Sequence, residues 1–183
     1  MAAAQKALTD AESAVTAKIP AWEAQLTKDQ TPWTILDPGA LASTNDQNKL
    51  EKLPDLSILA IGAEGKQDYT VTGKTALATI TGLRLEALPD SRLPANGPGR
   101  NAVGNFVLSE IEATFTPAGG QPQKITFSDT LATYSQEGYA VANAVNGKAG
   151  GEPDGWAVYS GGVGMPQTAV FRCKDPVNTG GGG

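Results

Sequence analysis

Histidine is absent from this 183-residue sequence, and cysteine occurs once, at Cys173. Without histidine there is no Ser-His-Asp or Cys-His catalysis, no His-based zinc or iron site and no axial His for a haem. A single cysteine allows no intrachain disulfide and no thiolate metal cluster; Cys173 reads as a small apolar residue in a strand. Basic residues are outnumbered 14 to 19 by acidic ones, for a net charge of −5, and form no cluster. Nucleic-acid binding needs a basic patch and is not expected. No apolar run approaches the ~18 residues of a membrane span. Residues 1–19 have no apolar h-region: Thr9, Asp10, Glu12 and Lys18 interrupt them. The chain is therefore expected either to stay inside the cell or to be a piece of a longer protein whose export signal lies elsewhere.

What is abundant is glycine, at 22, with 12 prolines. That mix points to many turns and few long helices. The length suffices for one domain with a core of its own. Residues 3–28 form the one helix-like stretch, rich in Ala and free of Gly. Leu8, Val15, Ile19, Trp22 and Leu26 make an apolar stripe along it. Pro20 suits the first turn of a helix and not its interior, so the expectation is a helix over 3–18, a kink, and a second over 20–28. Trp22 is expected to dock this segment.

After Thr31-Pro32 the period changes to two. Trp33–Leu36 reads as a short strand stopped by the turn Asp37-Pro38-Gly39. Short apolar runs follow at 50–53 and 57–61, separated by Pro54-Asp55, and alternation resumes at 69–74. Leu83, Leu85 and Ala87 alternate with Arg84 and Glu86, the pattern of a strand with one wet face. Phe106 and Leu108 share one phase and Ile111, Ala113 and Phe115 the other, which predicts a bulge near Ser109-Glu110. The principal strands are expected over 80–88, 105–116, 123–132 and 167–173. The fold class that follows is mainly β, an antiparallel β-sandwich or jelly roll with an N-terminal helix. Its expected divisions are a helical segment at 1–30, the sandwich at 31–175 and a Gly-rich truncated tail at 176–183. The last strand or strands are expected to be missing, leaving an open sheet edge at 168–173. Two turn-rich stretches, 89–104 and 145–166, are long enough to carry function.

No catalytic set emerges, so the protein is not expected to be an enzyme. Glu110 with Glu112, and Glu152 with Asp154, are spaced as carboxylate pairs but read as solvated charges. Gly97-Pro98-Gly99-Arg100 is a turn carrying a cation, and it lacks the Gly-Lys-Ser/Thr end of a phosphate loop. Binding chemistry remains. Tyr134, Tyr139, Trp156 and Tyr159 are interleaved with Asn143, Asn146, Glu152 and Asp154. A sugar needs a flat aromatic face for its C–H surface and amides or carboxylates for its hydroxyls. Trp156, Tyr159, Tyr139, Asn143, Asp154 and Arg100 are thus the expected ligand-binding residues. Gly155-Trp156-Ala157-Val158 reads equally well as a strand with an inward ring. No cofactor is required; a calcium ion on Asp154, Glu152 and loop carbonyls is conceivable, without any EF-hand spacing.

Several strings resemble a region of large planctomycete multidomain proteins, which join a cytochrome-c-like domain to planctomycete-specific domains. They are Leu83-Arg84-Leu85-Glu86-Ala87-Leu88-Pro89-Asp90, Gly97-Pro98-Gly99-Arg100 and Gly104-Asn105-Phe106-Val107-Leu108-Ser109-Glu110. Tyr134-Ser135-Gln136-Glu137-Gly138-Tyr139, Gly155-Trp156-Ala157-Val158 and Thr168-Ala169-Val170-Phe171 agree with them. The resemblance covers roughly residues 20–173. It implies a discoidin or galactose-binding-like jelly roll, with Asn146 where Asp is usual and Gln167 where His is expected. No Cys-x-x-Cys-His is present, so no haem function carries over. What the resemblance implies is a non-catalytic carbohydrate-binding module of a larger extracytoplasmic protein, at the periplasm or cell surface. Its partners would be polysaccharide and the neighbouring domains of the same polypeptide. The alternative is a structural spacer or interdomain interaction module.

Overall fold

The structure is a computed structural model that describes residues 32–148 and 154–183, with residues 5, 6, 9, 16 and 18–20. Residues 1–34 and 35–183 form two separate units. The helical segment expected over 1–30 falls for the most part outside the described residues, as do Trp22 and Glu152.

The unit at 35–183 is mainly β, built of small antiparallel sheets, and its described residues include no α-helix. Strand β1 (Pro38–Ser43) pairs with β4 (Tyr69–Gly73). Between them lies a hairpin of β2 (Lys49–Lys52) and β3 (Ile58–Ile61). Its turn is closed by Leu53 N–H donating to the Ser57 carbonyl at 2.8 Å. Asp55 caps it by accepting from the Ser57 amide and hydroxyl. The stretch 33–36 forms no strand. The strand begins instead at Pro38, inside the expected turn, because an edge strand can open on a residue that has no N–H to donate.

The central sheet has the order β5–β11–β9, formed by Thr79–Ala87, Gln167–Asn178 and Phe127–Ala132. On β5 the alternation holds, with Leu83 and Leu85 turned inward and Arg84 and Glu86 wet. The close approach of β5 and β11 requires Gly82, where a Cβ would stand 2.9 Å from the Phe171 carbonyl. The expected open edge at 168–173 is overturned. That stretch is the middle of the sheet, with Thr168–Arg172 paired to β5 and Ala169–Cys173 to β9. Nor does the strand stop at Cys173. Cys173–Pro176 bulge opposite Thr81, which accommodates a proline that cannot donate, and pairing resumes at Val177 and Asn178. The following glycines fold back. Thr179 is buried and donates to Ala78, and Gly183 exchanges backbone hydrogen bonds with Thr75.

The stretch 105–116 splits into two strands in different sheets. Strand β6 (Val107–Leu108) pairs with β10 (Trp156–Ala157), and β7 (Ala113–Phe115) with β8 (Gln123–Ile125). The phase change at Ser109-Glu110 is therefore a change of partner and not a bulge. Between the strands Ile111 N–H turns to the Ala144 carbonyl at 2.8 Å.

One core cluster joins β10, β11 and the 3₁₀ turn Val141–Val145. Its members are Val141, Ala144, Trp156, Val158, Ala169 and Phe171, and Leu85, Phe106, Leu108, Ile111 and Phe127 pack onto it. Phe127 and Phe171 meet at 5.7 Å between ring centroids. Loops beside this core carry the side chains of interest.

Candidate functional site

Backbone bonds knit the loop at 133–146 to the stretch at 156–162. Gln136 N–H donates to the Ala157 carbonyl, and Ala157 N–H reaches the Tyr139 carbonyl at 3.4 Å. Asn105 fastens a third segment to both. Its Oδ1 accepts from Val158 N–H at 3.1 Å, and its Nδ2 donates to Gln136 Oε1 at 3.5 Å. Gln167 is buried, donating to the Gly162 carbonyl and accepting from the Thr133 hydroxyl. Both of its amide ends are engaged within the protein, so it serves the fold.

Trp156 belongs to the core and is corrected as a ligand platform. It is 0% exposed, donates from Nε1 to the Tyr134 carbonyl at 2.8 Å, and meets Phe106 edge-on. A buried indole needs one acceptor and an apolar cage, and both are supplied. Tyr159, three residues on and past the strand, is 47% exposed. Tyr139 and Asn143 are half-buried, and Asn143 Nδ2 donates to the Gly138 carbonyl at 3.4 Å. The Tyr134 hydroxyl lies between the Tyr159 carbonyl and the Gly161 amide, each at 3.4 Å. A Cβ at Gly161 or Gly162 would stand 3.0 Å from the Tyr134 ring, so the turn passes the ring closely.

Asp154 is buried, at 7% exposure. Its Oδ1 accepts from Asn146 Nδ2 at 3.1 Å, while Oδ2 has no hydrogen-bond partner. Next to Asn146, Gly147 N–H donates to Glu110 Oε2 at 3.2 Å. Burial pushes the Glu110 carboxyl above its ordinary value, the Gly147 amide pulls it back, and the negative charges of Glu112 and Asp154 push it up again. Glu112 is paired with Lys124, whose ammonium is held above its usual range by that bond. A cavity of about 130 Å³ lies here, with Glu110, Glu112, Lys124 and Gly147 in its wall. Among the described residues no three Asp, Glu or Cys side chains converge as a metal site.

Arg100 stands in a different setting from the tyrosines. Its guanidinium reaches the Ala63 carbonyl and donates to Asn48 Oδ1 at 2.9 Å. The Gln67 carboxamide lies against Arg100, Asn48 and the Tyr69 hydroxyl. The Tyr69 ring centroid is 6.0 Å from the guanidinium carbon. Arg100 thus clamps the β2–β3 hairpin and the β1–β4 sheet, with Nη1 engaged by Asn48 and Ala63. Beside it, Gly99 packs so closely that a Cβ would overlap the Asn105 carbonyl.

Six residues were expected to meet a ligand, and they divide by setting. Tyr139, Asn143 and Tyr159 share one knitted loop region, Asp154 is buried beside Asn146, Trp156 is inside, and Arg100 is a clamp. Asn105 as a staple and Glu110 as Asp154's neighbour emerge only from the structure. Both depend on contacts tens of residues apart, for which local pattern carries no signal. No family model, curated protein or solved structure matches the chain.

Proposed function

We propose that this chain is a non-catalytic carbohydrate-binding module, with Tyr159 as the stacking ring and Tyr139 and Asn143 beside it. The observation that carries the reading is the contrast between Trp156 and Tyr159. The indole is used up by the core, whereas the phenol ring three residues later stands half in solvent on a glycine-rich turn. A phenol face suits the C–H surface of a pyranose, and its hydroxyl and the Asn143 amide suit sugar hydroxyls. Glycines at 161, 162 and 164 allow a ligand to approach the backbone.

In this reading the small sheets close into a galactose-binding-like jelly roll of a larger extracytoplasmic protein, as in the planctomycete multidomain proteins that the sequence resembles. The step from fold to sugar is analogy, and the exposed ring supports it. One observation favours the alternative, a spacer or interdomain module. All five residues of β4 are exposed, including Tyr69 and Val71, which leaves apolar surface for a neighbouring domain.

The test is glycan-array and polysaccharide pull-down binding beside thermal midpoints, for the unaltered protein and for Tyr159→Ala and Tyr139→Ala. Tyr159→Ala should lose about two- to tenfold in glycan retention with little change in midpoint, since an aromatic contact contributes about 0.5–1.5 kcal/mol. An unaltered protein that retains no glycan would overturn the reading and return the module to an interdomain role.

A further inference from the structure

We propose a calcium site whose two acidic ligands are Asp154, through Oδ2, and Glu110, held together by the consecutive residues Asn146 and Gly147. This inference is independent of the glycan reading and concerns a different side chain set. It starts from an imbalance. Asp154 is more than nine-tenths buried, and one of its oxygens meets no donor. Among the described residues it is the only buried side-chain nitrogen or oxygen in that state. Leaving a buried carboxylate oxygen unpaired is costly, and natural folds retain such a group where something binds it.

The surroundings select the class of ligand. Asn146 Nδ2 fixes Asp154 by its other oxygen, and Gly147 N–H fixes Glu110 by Oε2. Each carboxylate is thus oriented by one bond and keeps one oxygen free of those bonds. Gly155 presses on Leu108 and Ser109, so the residues next to Asp154 and Glu110 are in contact. Lys124, in the same cavity wall as Glu110, is engaged by Glu112. Two neighbouring carboxylates, each held by one bond, favour a positive ligand. All available donors are oxygens, which suits a hard cation and excludes zinc-type sites. Calcium tolerates the irregular geometry of two carboxylates completed by carbonyls and water better than magnesium, which demands a near-ideal octahedron. A site with only two charged ligands should be weak, with Kd on the order of 0.1–1 mM, as in extracellular modules.

Calcium titration of the thermal midpoint tests the site, with magnesium and EDTA as controls. Terbium luminescence excited through Trp156, two residues from Asp154, gives a direct readout. In the unaltered protein ~10 mM calcium should raise the midpoint by about 3–8 °C, by mass action on a domain of this size. Terbium emission should appear and be displaced by calcium but not by equal magnesium. Glu110→Gln, which alters a less buried group, should weaken calcium binding at least about tenfold while keeping the fold, and Asp154→Asn should abolish it. No calcium-dependent midpoint and no terbium signal in the unaltered protein overturn the site and leave a buried water as the partner of Oδ2. Equal calcium response in Glu110→Gln and the unaltered protein overturns the role of Glu110.

Discussion

Trp156 and Tyr134 are joined by one hydrogen bond, indole Nε1 to backbone carbonyl at 2.8 Å, across 22 residues of chain. The bond fixes the ring in the core and at the same time hangs the 133–146 loop from β10. Trp156→Phe should cost about 1–3 kcal/mol, because the carbonyl loses its donor. Trp156→Ala should cost about 3–5 kcal/mol through the cavity it leaves. Urea denaturation of both variants separates the two contributions. A Trp156→Ala protein as stable as the parent would contradict the buried position.

Gly99→Ala should be strongly destabilising, by about 1–3 kcal/mol or more, because its Cβ would overlap the Asn105 carbonyl and push on the staple to Val158. Gly182→Ala is the control. Its nearest neighbour would be 3.8 Å away, so its denaturation midpoint should stay near the parent's. Similar losses in the two variants would argue against the close packing at Gly99.

Arg100→Ala should loosen the β2–β3 hairpin by about 1–3 kcal/mol, since Asn48 Oδ1 and the Ala63 carbonyl lose a charged donor. Arg100→Lys should recover only part of this. An ammonium has no planar fork with which to meet Asn48, Ala63 and Gln67 together. Hydrogen exchange at residues 48–62 measures the effect locally. Unchanged protection there in Arg100→Ala would remove the clamp.

The pH dependence should carry opposite contributions from Glu110 and Asp90. Glu110 has a raised carboxyl pKa in the folded protein. Its contribution is therefore fully present below 4.5, its ordinary value, and is lost as pH rises through the raised one. Asp90 is held down to about 2, first by the side-chain bond from Arg92. Its contribution is present above 3.8 and is lost as pH falls toward 2. Its side chain is 22% exposed and that of Arg92 is 47%, so solvent screens the pair and the contribution should be small. Glu110→Gln, measured in EDTA, should flatten the fall in stability above pH 4.5 and leave the acid limb unchanged. The groups acting on Glu110 are Glu112, Asp154, Lys124 and the Gly147 amide. A variant whose profile matches the parent's above pH 4.5 would remove Glu110 from the account.

The strands were legible where alternation was strong. The strands expected over 80–88 and 167–173 are found as Thr79–Ala87 and Gln167–Asn178, and the alternation that marks them comes from one face on the core and one toward water. The 105–116 stretch was legible as β but not as two strands, because a change of partner and a bulge leave the same one-residue phase shift. Trp156 was left open between core and ligand, since the Gly-Trp-Ala-Val run says only that a ring is presented. What decides it is Tyr134, whose carbonyl lies 22 residues away. Asp37-Pro38-Gly39 misled in the other direction, as a turn sequence can also begin an edge strand. The clamp at Arg100 and the pairing of Glu110 with Gly147 were beyond reach, because they join segments 37–52 residues apart.

The β5–β11–β9 order carries a kinetic consequence. Strands β5 and β9 have no pairing with each other, and only residues 167–178 connect them. During synthesis both strands must emerge and wait with edges unsatisfied until a strand some 35 to 80 residues downstream slides between them. Such long-range closure is slow, because loop entropy is spent before the contacts form. The wait exposes Leu83, Leu85 and Phe127, so a nascent chain halted before residue 167 should be the species that holdase chaperones capture.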